Sequence, residues 1–101
     1  MNISNLTKKE KMELAQNVNT NVAILKELAN NKDKEIRRVV VTNINTPAAV
    51  LEKLANDDDW VVRMRVAKNP SVSVAMLEKL ADDGKEWVRK AVLSNLSYKT
   101  V

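Results

Sequence analysis

The chain has 101 residues, no cysteine, no histidine and a formal net charge of +4. This composition excludes disulfides, the usual zinc sites, iron–sulfur ligation and any Cys–His or Ser–His nucleophile pair. One glycine, two prolines and three aromatic residues supply too little turn chemistry for an all-β sandwich, and the abundance of Leu, Ala, Lys, Glu and Val favours helices.

The N-terminal stretch "MNISNLTKKEKMEL" holds no continuous apolar run. Neither a signal peptide nor a membrane span is expected, and the expected location is cytoplasmic, with no membrane partner. The lack of cysteine fits a reducing compartment. Thr7 and Glu10 have the spacing of a capping box, which predicts a helix from about Lys8 to Gln16.

From there the chain repeats itself every 26 residues. Asn17, Asn43, Asn69 and Asn95 mark the period. Leu25, Leu51 and Leu77 keep it, as do Leu28, Leu54 and Leu80, Ala29, Ala55 and Ala81, and Val40, Val66 and Val92. The expected organisation is one domain over 1–101. It has a half-unit helix in 1–14, full units at 15–40, 41–66 and 67–92, and a partial unit at 93–101. A fixed period of this size implies a solenoid, because one helix pair cannot bury its apolar face without a neighbour.

In the middle unit, Thr46 is a good N-cap and Pro47 suits the first helical position. Val50, Leu51, Leu54 and Ala55 then form an apolar face, predicting a helix from about Pro47 to Asn56. Asp58 or Asp59 can cap the second helix, which carries Val62 and Val66 inward and ends near Lys68. Asn69 is expected to take a left-handed turn in place of glycine. At the C-terminus the partial unit reaches the next turn. There Leu96 and Tyr98 either fold back as a cap or leave apolar surface open.

The unit "NINTPAAVLEKLANDDDWVVRMRVA" resembles the leucine-rich repeat variant family and, more broadly, the HEAT-like repeats. The resemblance covers about residues 15–95. It implies an all-α fold, a short right-handed α–α superhelix of about three two-helix repeats behind the N-terminal half unit. The variant family uses a 3₁₀ helix in some pairs, but "TPAAVLEKLA" is long enough for α geometry. The iron–sulfur cluster of one member does not carry over, since its cysteines are missing. HEAT-like proteins mostly bind other proteins, and related DNA-repair glycosylases offer an analogy for nucleic acid. HEAT-like repeats also use Asp–Arg pairs within and between units.

Arg37, Arg63 and Arg89 recur in every unit, with Lys11 at the matching place before them. A ladder of this kind is either a track for phosphates or acidic surfaces, or a structural column. Asp33–Arg37 and Asp59–Arg63 have the four-residue spacing of intrahelical pairs, and Lys85 breaks that pattern in the third unit. Arg38, Arg65, Lys68 and Lys90 add charge near the same helices, as a patch or as scattered solvated groups. Trp60 and Trp87 open second helices one register apart, as core residues or as contact residues. Asp57, Asp58, Asp59, Asp82 and Asp83 fit no calcium loop and read as helix caps.

No catalytic constellation or phosphate loop is visible, so no enzyme activity, cofactor or metal is expected. The expected function is a protein-interaction or scaffolding module. Its candidate surface comprises Arg37, Arg38, Trp60, Arg63, Arg65, Lys68, Arg89 and Lys90. The alternatives are nucleic-acid binding through a basic helix face, and self-association through Trp87, Leu93, Leu96 and Tyr98 at the C-terminal end.

Overall fold

The computed structural model describes residues 2–100, with side chains described as far as Asn95. Among the described residues there are seven helices and no strand: α1 (Lys8–Gln16), α2 (Val22–Leu28), α3 (Lys34–Thr42), α4 (Ala48–Leu54), α5 (Trp60–Lys68), α6 (Val74–Leu80) and α7 (Glu86–Thr100). Helices of seven residues alternate with helices of nine until α7, which has fifteen.

Seven residues are too few for a helix to hold by propensity alone. The short helices exist because each buries a Leu-x-x-Leu face. Leu25, Leu28, Leu51, Leu54, Leu77 and Leu80 are all essentially inaccessible to solvent. Burying one such side chain stabilises the fold by about 1.5–3 kcal/mol. The long helices supply the other side of the core through Ile36, Val40, Val62, Val66, Val88 and Val92. They pack in succession, α1 on α3, α3 on α5 and α5 on α7. The short helices lie against this layer: α2 touches α1 and α3, α4 touches α5, and α6 touches α5 and α7.

The helix ends follow local side-chain chemistry. Thr7 and Glu10 form the expected capping box, the Glu10 N–H donating to Thr7 Oγ1 at 3.1 Å and the Thr7 N–H to Glu10 Oε1 at 3.0 Å. Asp59 caps α5, accepting from the Val62 N–H. Asn21 and Ser73 cap α2 and α6 in the same way, while Pro47 stands at that position before α4 with no side chain to offer.

Several local expectations are corrected. Thr46 is not the cap of α4. It is buried, and its hydroxyl donates to the Val40 carbonyl at 2.6 Å, as that of Thr20 does to Leu14 at 2.7 Å. The helix predicted to reach Asn56 stops at Leu54, because Ala55 and Asn56 form the turn into the acidic loop. Asn43 and Asn69 are not left-handed. Their φ values are −71° and −68°, with extended ψ, and no described residue has a positive φ. The chain does not turn at Asn95, since α7 continues to Thr100. The capping role weighed for Leu96 and Tyr98 lies outside the described side chains.

A candidate interaction surface

The recurring spacing of asparagine and arginine builds two ladders between successive long helices. The first belongs to asparagine. The Asn43 amide donates to the carbonyls of Ala15 at 2.8 Å and Asn17 at 3.0 Å. Asn69 donates to Val41 at 2.9 Å, and Asn95 to Ala67 at 2.6 Å. These carbonyls lie at the last turns of α1, α3 and α5, where a helix leaves acceptors without intrahelical donors. The Oδ1 atoms of Asn17, Asn43 and Asn69 accept from the N–H two residues on. Each buried asparagine therefore ends one helix and ties down the one before it.

The second ladder belongs to arginine. Arg37 grips Asp57 with two parallel bonds, Nε–Oδ2 at 2.8 Å and Nη2–Oδ1 at 3.1 Å. Arg63 grips Asp83 alike, at 2.7 and 3.2 Å. The remaining Nη1 anchors each fork to a nearby carbonyl, Asn31 for Arg37 and Asp57 for Arg63. Arg38 adds a parallel pair to Asp59, at 2.7 and 3.0 Å. The intrahelical pairs anticipated for Asp33–Arg37 and Asp59–Arg63 are replaced by these longer-range ones, because the carboxylate of the following acidic turn meets the guanidinium fork edge-on.

Electrostatics agree with the geometry. Burial pushes the Asp57 and Asp83 carboxyls up, but the arginine forks and the turn N–H groups outweigh it, so both pKa values lie below the ordinary range. Asp59 is lowered chiefly by its hydrogen bonds from Arg38. The same bonds raise Arg37, Arg38 and Arg63. These three arginines are therefore committed within the molecule.

The other candidates differ. Trp60 is partly buried and packs on the core. Trp87 is 59% exposed, and the Lys90 ammonium sits 4.9 Å from its ring centre while also pairing with Glu86 at 3.0 Å. Arg65 donates to the Arg38 carbonyl at 3.2 Å, and neither Arg65 nor Lys68 has a carboxylate partner among the described residues. Arg65 and Lys68 line a shallow groove of about 500 Å³ with Val41, Ile44, Met64 and Pro70. Ile44 is 69% exposed there. A second hollow, lined by Lys68, Pro70, Ala91, Ser94 and Asn95, continues it toward α7.

Ile44 was missed from sequence because Pro70 interrupts the apolar column that it shares with Val18 and Leu96. The acidic partners were visible as a correlation between columns. Where Arg38 becomes Met64 one unit on, Asp59 becomes Lys85. Where Arg37 is preceded by Lys11, Asp57 is preceded by Asn31.

No metal-holding group of three or more acidic side chains occurs among the described residues, and no helix among them is long and apolar enough to cross a membrane. No protein-family model matches the chain, and no curated protein or solved structure matches it.

Proposed function

We propose that this chain is a non-catalytic protein-interaction module, a short right-handed α–α superhelix similar to the leucine-rich repeat variant and HEAT-like repeats. Two features support the architecture: junction bonds that recur with the 26-residue period, and an elongated outline of 42 × 25 × 18 Å. The ligand is an acidic, partly apolar segment of another protein, and it lies in the groove between α3 and α5.

The observation that carries this reading is the lining of that groove. Ile44 and Met64 offer apolar surface beside Arg65 and Lys68, two cations with no carboxylate partner among the described residues. Arg37, Arg38 and Arg63 already hold carboxylates and contribute structure rather than recognition. Exposed apolar groups flanked by unpaired cations select a ligand with the opposite charge.

The test compares proteins captured by the native chain with those captured by an Arg65→Glu, Lys68→Glu double variant. The control is Lys53→Glu on α4. Partners lost on reversal but kept by the control support the reading, and identical capture removes it. Binding to duplex or single-stranded DNA or RNA that fades steeply with salt would transfer the groove to phosphate recognition.

A further inference from the structure

The turns before α3, α5 and α7 share one register position, occupied by Asp33, Asp59 and Lys85. In the first two turns it holds a carboxylate paired with a cation of the preceding long helix. Asp33 meets Lys8 of α1 at 3.1 Å, and Asp59 meets Arg38 of α3 at 2.7 Å, with the positive charge of Lys34 acting on it as well. Before α7 every part of this arrangement changes. The carboxylate becomes Lys85, the register of Lys8 and Lys34 becomes Trp60, and the register of Arg38 becomes Met64.

Stacking does not require the change, since Arg63 still closes on Asp83 at this seam and Asn95 still bonds to Ala67. Trp60 and Met64 are four residues apart on α5, so they share a face, and both are only partly buried. Lys85 is exposed and has no carboxylate partner among the described residues. Met64 also lines the α3–α5 groove beside Arg65 and Lys68. Arg65 leans toward α3, where it bonds to the Arg38 carbonyl, while Lys85 immediately precedes α7. The apolar face of α5 therefore has an uncommitted cation on each side.

We infer that the acidic partner segment crosses α5 in extended form, setting an apolar side chain on Trp60 and Met64 and one carboxylate on each side, toward Arg65 and toward Lys85. This rests on the α3–α5 groove being a protein-binding site, and it fixes the pattern of that ligand. Packed helices stand about 8–10 Å apart, which is the scale of the crossing. In an extended chain residues i, i+2 and i+4 share a face and span about 13 Å, so the pattern is acid–x–apolar–x–acid. A helical ligand advances only about 6 Å over the same four residues, too little to reach both cations. A second copy of this chain is a poorer occupant. Its one stretch with the pattern is Glu78–Leu80–Asp82, and Leu80 is buried at the end of α6.

The experiment titrates the ¹⁵N-labelled full chain with the acetylated, amidated peptide ESLSE and follows backbone amide and tryptophan indole signals by NMR. The expected result is a set of saturable shifts at Trp60, Met64 and Lys85 together with Arg65. Peptides ESLSQ and QSLSE should each bind up to about fivefold more weakly. The double variant Met64→Arg, Lys85→Asp reinstates the pair made by Arg38 and Asp59, so it should unfold no lower than the native chain and bind ESLSE about fivefold more weakly. Lys85→Gln, at an exposed site, should show the same loss with unchanged stability. Native affinity in both variants, with Arg65→Glu still weakening, overturns the crossing and leaves the groove reading standing. Native affinity in Arg65→Glu as well removes the groove reading too. Equal shifts with ESSSE would mean charge screening alone and overturn the apolar contact. A short oligothymidylate that displaces ESLSE and loses its hold in Lys85→Gln would give the face to nucleic acid and overturn the partner assignment.

Discussion

Arg37 and Asp57 meet across twenty residues of sequence in a two-pronged ion pair that joins the long helix of one unit to the acidic turn of the next. The side chains are 14% and 7% exposed, so the pair is screened far less than a surface bridge. Its neighbour Asp58 also approaches Arg37, at 3.4 Å, but is 96% exposed.

Exposure should separate these two aspartates. Asp57→Asn leaves the Arg37 charge without its main partner and should cost about 1–3 kcal/mol of stability. That corresponds to a fall in melting temperature of roughly 4–8 °C per kcal/mol. Asp58→Asn should stay within about 0.5 kcal/mol of the native chain. Thermal unfolding by circular dichroism distinguishes the two.

Acid should weaken the same junctions. Asp57, Asp59 and Asp83 have folded pKa values below the ordinary carboxylate value. The unfolded chain therefore binds more protons than the folded one in the acidic range, and stability rises with pH there. The contribution is fully present above about pH 5 and is lost as pH falls through the folded values. Urea unfolding at successive pH values should show this slope, and a chain with Asp57→Asn and Asp83→Asn should show a flatter one.

The asparagine ladder should be as costly to break as the arginine one. Asn43→Ala removes an amide that serves two carbonyls, in a residue only 3% exposed. A loss of about 1–3 kcal/mol is expected, because the Ala15 carbonyl is left inside the protein without its donor, while the Asn17 carbonyl keeps the Thr20 N–H. Asn17 is exposed and its amide nitrogen ties no earlier helix, so Asn17→Ala should cost less. Chemical unfolding of the two variants side by side measures the difference.

Much of the helical layout was legible in the sequence. The capping box placed α1 at Lys8–Gln16, and the position of Lys68 marked the end of α5. Periodicity alone revealed which leucines and valines face inward. Partners were harder to read, because a local rule always offered a nearer candidate. Thr46 before Pro47 looks like a cap, yet its hydroxyl reaches back six residues. Asn69 looks like a substitute for glycine, yet its role is a bond to a carbonyl in the preceding unit. Asp33, four residues before Arg37, looks like its partner, yet Asp33 pairs with Lys8. In each case the sequence shows the residue and the fold chooses its partner. The groove was only half visible: its cations were named, while Ile44 lies in a loop, in a column with Val18 and Leu96 that Pro70 interrupts.

The junction bonds also bear on how the chain folds and opens. Among the described residues no side-chain hydrogen bond spans more than 28 residues, so every tie is to an adjacent unit. Such a chain closes only short loops as it folds, which favours rapid folding. It also confines damage: a broken tie loosens one seam, and the seams beyond it keep their own bonds. On the proposed superhelix, opening is expected to begin at whichever seam is weakest and to advance unit by unit. Amide hydrogen exchange would record this as steps of protection rather than as one common value.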